Sequence, residues 1–190
     1  MIKQSTQSSM ARQNGMVLVT SLLLLIVVTL LAVGMFRSFG LDERIAGNVR
    51  EKHRALNAAE TAEQYAEYWL TSIGGTPIVC AAPLLTYVPG QNTGQVCTLP
   101  LANAAQIPWT SGVNYIPTVT SAMNVTGTAG GLGAYYKNPA FYIGFLGATP
   151  SGLGTIYQID AVGYGGSADT AAVVEATYVV QSSTKDLGGL

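Results

Sequence analysis

The distribution of apolar residues divides the chain near residue 36. From Met16 to Phe36 no residue is charged, and at 1.5 Å per residue such a run spans roughly 30 Å as a helix, enough to cross a bilayer. Residues 41–70, "LDERIAGNVREKHRALNAAETAEQYAEYWL", keep the helix formers Ala, Glu, Arg, Leu and Gln but space their apolar positions. At about 100° per residue, Leu41, Ile45, Val49, Leu56, Ala59, Ala66 and Leu70 share one stripe, the face a helix offers to a sheet. Lys52 and Glu63 interrupt it; too far apart to pair with each other, they mark its edge or reach a neighbouring chain. No proline interrupts Met1 to Ser72, and Gly74-Gly75 followed by Pro77 closes the pattern. One helix over residues 16–73 is predicted, roughly 80 Å long, with residues 16–36 suited to lipid. Gly34, Gly40 and Gly47 are the points for bending, or for close packing against another helix.

The second half changes period. Ala140–Leu146, Thr155–Val162 and Ala171–Gln181 cluster or alternate aromatic and β-branched residues, and Gly163 to Ser167 suits a hairpin loop between the last two. These predict an antiparallel sheet in residues 137–190, packed on the outer half of the helix. In the last strand Val174, Ala176, Tyr178 and Val180 share one face, and Glu175 marks the other as the wetter. Residues 74–136 are left as a connector. Trp109, Tyr87 and Tyr115 within it cover the sheet, or form a recognition surface for another subunit.

Composition narrows the chemistry. With 190 residues, 10% of them charged, and a net charge of −1, no basic patch points to nucleic acid or another polyanion. Tyr68 to Tyr136 carries no charge at all. Cys80 and Cys97 read as a disulfide in an exported chain, worth roughly 3 kcal/mol by loop closure; two buried thiols are the alternative. His53 is the single histidine and sits among Arg50, Lys52 and Arg54, so no catalytic triad or zinc site can be assembled. The glycines from Gly127 to Gly133 lack the Gly-Lys-Ser/Thr ending of a phosphate loop and read as a plain loop. Asp160, Asp169, Glu175 and Asp186 lack calcium-loop spacing and read as solvated carboxylates. No catalytic, cofactor or metal residues are assigned.

The apolar run has two readings. Ala32-Val33-Gly34 would serve as a secretory cleavage site, releasing a soluble head, but a secretory apolar core is usually only about 7–15 residues. Retention of the run gives an anchored rod instead.

A short polar leader with Lys3 and Arg12 ending in Gly15, the uncharged span, "DERIAGN" at residues 42–48 and Ala58-Ala59-Glu60 together resemble the PilX family of type IV pilus minor pilins. The resemblance covers about the first 70 residues. It implies an α+β, type IV pilin-like fold, with a leader of residues 1–15 cut between Gly15 and Met16 by a prepilin peptidase. That enzyme also methylates the new Met16 amine; major pilins usually begin there with Phe. A glycine before the cut lets the protease approach the backbone. At the fifth mature residue most pilins carry a glutamate, thought to pair with the terminal amine of an adjacent subunit, and this chain has Thr20. The same loss is typical of PilX-like proteins and of the K-type minor pseudopilins of type II secretion, which sit at a fibre tip. The implied role is a non-catalytic subunit that starts the pilus at or near its tip. Implied partners are other minor pilins, the major pilin, the peptidase, the inner-membrane assembly platform and, as a further candidate, a tip adhesin. Implied localisation is the inner membrane, single-pass with a periplasmic head, then the surface pilus. The pseudopilin alternative needs a large additional helical domain that residues 76–190 do not supply; a small exported or membrane-anchored enzyme is the reading from another class.

Overall fold

The computed structural model describes residues 15–88, 91–116, 123, 125 and 133–181, apart from the side chains of residues 37–39. The leader through Asn14, Asp186 and all but the last of the Gly127 to Gly133 glycines lie outside them. The elements are α1 (Met16–Ser72), β1 (Leu85–Thr86), β2 (Val113–Asn114), β3 (Ala140–Ala148), β4 (Gly154–Tyr164) and β5 (Ala171–Gln181). They fall into two compact units, one ending at Gly47 and the other beginning at Asn48. In the first unit no residue of the apolar stretch of α1 is buried within the chain.

In the second unit α1 lays a stripe of small residues against the sheet. Ala55, Ala58, Ala59, Ala62 and Ala66 are buried, with Trp69 and Leu70 at the far end. This corrects the larger stripe read from periodicity: Val49 is 50% exposed, and Leu41 and Ile45, in the first unit, are also exposed. The physical reason is closeness. A Cβ at Gly163 of β4 would overlap the Ala55 carbonyl oxygen and the Ala59 nitrogen, so backbone meets backbone and only methyl-sized side chains fit between. The helix ends where Gly74, at φ 64°, turns its amide back onto the Trp69 carbonyl at 2.9 Å.

The sheet has the order β1-β2-β3-β4-β5, with β1–β2 parallel and the other pairs antiparallel. One row, Val113, Phe141, Ala161 and Val174, runs across it in register on the α1 side. These residues join Ile143, Ile159, Tyr87 and Tyr115 in the core beneath the helix. The alternate residues Ala140, Tyr142, Val162 and Tyr164 face the other way and pack with Cys97, Trp109, Leu101 and Ile107. The described residues between 74 and 136 are therefore more than a connector: they supply β1 and β2 to the sheet and a second covering layer. Period-2 patterning cannot signal two-residue strands, which is why these escape a sequence reading.

The three longer strands extend the expected ranges by a few residues at most. Val174, Tyr178 and Val180 pack on the helix-side core, while Glu175 is exposed on the opposite face, as alternation requires. Tyr87, Tyr115 and Trp109 are buried, so they are core and not a free recognition surface. Cys80 and Cys97 are bonded, with Cα atoms 5.3 Å apart. Cys97 bridges to Gly144 of β3 and also to Ile78, which fastens the covering layer to the sheet.

Candidate assembly site

The first turn of α1 carries no acidic residue. Gly15 precedes α1, its carbonyl accepting from the Val19 amide at 3.4 Å, and Met16 is 75% exposed. Thr20 donates its hydroxyl to the Met16 and Val17 carbonyls at 3.0 Å. Ser21 and Thr29 do the same to Leu18 and Ile26, at 2.9 and 2.8 Å. Every hydroxyl of the apolar span is thus satisfied within its own helix, which lets the segment meet lipid without a stranded polar group. The helix is long and apolar enough to cross a membrane.

A second cluster lies at the head's first turns of helix. Glu51 accepts from the Gly166 amide at 2.7 Å and from Arg54 at 2.8 Å. Arg54 also donates to the carbonyls of Gly133 and Ala134, at 2.8 and 2.9 Å, and lies 4.4 Å from the Tyr135 ring centroid. Lys52 donates to the Ala171 carbonyl at the start of β5. Burial pushes the Glu51 carboxyl up, but the Arg54 and Gly166 hydrogen bonds, with the charges of Arg54 and Arg50, hold it below its usual value. Burial works against the Arg54 charge too, and Glu51 and Tyr135 more than compensate. The i, i+3 spacing of Glu51 and Arg54 is legible in sequence; their partners 79 to 115 residues away are not. Lys52 thus reaches within its own chain, and Glu63 stays at the edge, half-buried, its carboxyl raised by burial and then by Glu67 and Glu60.

His53 is exposed beside an apolar groove of about 300 Å³ lined by Val49, Leu56, Ala172 and Val173. Lys52 and His53 complete its lining, with no carboxylate among them, and no group of three metal-ligating side chains occurs among the described residues.

Residues 14–62 match the PilX N-terminal family, and residues 53–180 match the family described as type IV pilus assembly protein PilX C-term. The chain belongs to the PilX family. The N-terminal PilX match contains Gly15, Met16 and Thr20; the C-terminal one contains both cysteines and β1 to β4. Membership makes this a pilin of type IV pilus assembly, with one long apolar helix and an α+β head. No curated protein and no solved structure matches the chain.

Proposed function

We propose that the protein is a minor pilin, a non-catalytic subunit that starts pilus assembly at or near the tip. The PilX match across residues 14–180 carries the pilin reading. Thr20 supports the tip position: its hydroxyl is spent on its own helix, and it has no charge to offer the amine of an adjacent subunit. A subunit with nothing beyond it needs one pairing fewer. The partners are other minor pilins, the major pilin, the prepilin peptidase and the inner-membrane platform. The helix is retained after cleavage between Gly15 and Met16, with the head in the periplasm until assembly.

Two measurements test this. N-terminal sequencing of the mature protein gives Met16; a start after Gly34, with a soluble head, would end the pilin reading. In cells, Thr20→Glu alters pilus number and the tip location of the labelled protein. Unchanged pili, with label along the whole shaft, would remove the tip assignment while leaving membership of the pilus intact.

A further inference from the structure

A pocket of about 140 Å³ opens on the sheet face opposite α1. Its floor follows one cross-strand row, in which Asn114 stands opposite Ala140 and Ala140 opposite Val162. Leu84 and Trp109 wall it from the covering layer. The Trp109 indole N–H is already given to the Ala104 carbonyl at 2.9 Å, so that residue has only ring surface left to offer. The polar groups of the lining are the Lys137 ammonium, the carboxamides of Asn114 and Asn138, and the Tyr164 phenol. The ammonium lies 5.5 and 5.8 Å from the Tyr136 and Tyr164 ring centroids, which steer it electrostatically without neutralising it. The one ion pair among the described residues is Glu51–Arg54, so Lys137 has no carboxylate partner there.

We infer that this pocket binds a monocarboxylate carried on an apolar group about the size of a benzene ring. The volume matches, since an apolar cavity of roughly 150 Å³ takes benzene. One ammonium and two carboxamides in the lining supply donors for one carboxylate, and no acid among the described lining residues opposes it. A dianion would leave one charge unmatched. Leu84, Pro108, Val162 and the Trp109 ring supply the apolar surface for such a group. A free organic acid and the carboxyl-terminal residue of another chain share this chemistry.

The test uses the full chain in detergent micelles and fluorine NMR of 4-fluorobenzoate, with N-acetyl-4-fluorophenylalanine as the chain-terminal probe and 4-fluorobenzamide as the neutral control. Saturable broadening of 4-fluorobenzoate is expected, with the benzamide at least about tenfold weaker. Lys137→Gln, at an exposed position, abolishes the broadening while circular dichroism stays unchanged; Lys52→Gln leaves it intact. Broadening of 4-fluorobenzoate alone assigns free acids, and broadening of both probes extends the site to chain termini. Absence of saturable broadening, or equal broadening with Lys137→Gln, overturns the proposal.

Discussion

Asp160 is the charged side chain fully buried among the described residues. A reading of it as a solvated carboxylate fails because it stands opposite Tyr142 on the sheet face that Leu101, Ile107 and Trp109 cover, a placement no local pattern announces. Its partner is the Gln158 carboxamide at 3.1 and 3.2 Å, and Glu175 lies opposite in the next strand. Burial pushes its carboxyl up to about 6, the Gln158 bond opposes that, and the Glu175 charge adds to it. The folded state therefore holds the proton more tightly than the unfolded chain, where Asp titrates near ~3.9. This contribution is fully present below about pH 4 and is lost as pH rises through about 6, amounting to roughly 3 kcal/mol. Denaturant unfolding across pH 3–8 is expected to show Asp160→Asn with this decline removed and greater stability at neutral pH. A mutant that keeps the wild-type slope would show that another group is responsible. At Gly163, alanine should cost about 1–3 kcal/mol by pushing β4 off the helix, read as a lowered melting temperature.

At the scale of elements, the head's part of α1 works as a flat, small-residue platform with a polar clasp at one end. Alanines permit the close approach, while Glu51, Lys52 and Arg54 hold the 133–135 segment, the β4–β5 loop and the start of β5. Replacing Glu51 with Gln removes a charge-assisted acceptor, for which about 1.5–3 kcal/mol is typical. Hydrogen exchange is expected to speed up at Gly166 and around Tyr135 while the β3–β4 ladder stays protected. Because the Glu51 carboxyl is held low, its contribution is present above the unfolded value near pH 4.3 and is lost as acid protonates it. That direction is opposite to the Asp160 effect, so Glu51→Gln should be least disruptive in acid.

Across the head, the sheet is covered by α1 on one face and, on the other, by a layer that includes Cys80, Leu84, Cys97, Leu101, Ile107 and Trp109. That second layer carries no charge, so it is held by apolar burial, by the Trp109 and Tyr142 hydrogen bonds to the Ala104 and Leu99 carbonyls, and by the Cys80–Cys97 bond. Opening the disulfide with a Cys80→Ser, Cys97→Ser pair is expected to cost about 3 kcal/mol for a loop of this length. Limited proteolysis should then cut between residues 76 and 110 before it touches β3 to β5. Equal resistance in both proteins would mean that packing alone secures the layer.

The order of the chain determined much of this without a structure. An uncharged run of bilayer length, a helix ended by glycine and proline and three period-2 strands are local patterns, and backbone sterics and burial act on them directly. Ala59, Ala66 and Leu70 of the stripe read from the sequence are buried; only the tertiary structure decided that Ala55, Ala58 and Ala62 join them, because Gly163 brings the sheet backbone against the helix there. It also decided that Asp160 lies inside, that two-residue strands complete the sheet, and that Lys137 stands beside a pocket assembled from four separate stretches. Those outcomes depend on contacts between residues far apart in the chain, and a sequence pattern carries no term for the distance between them.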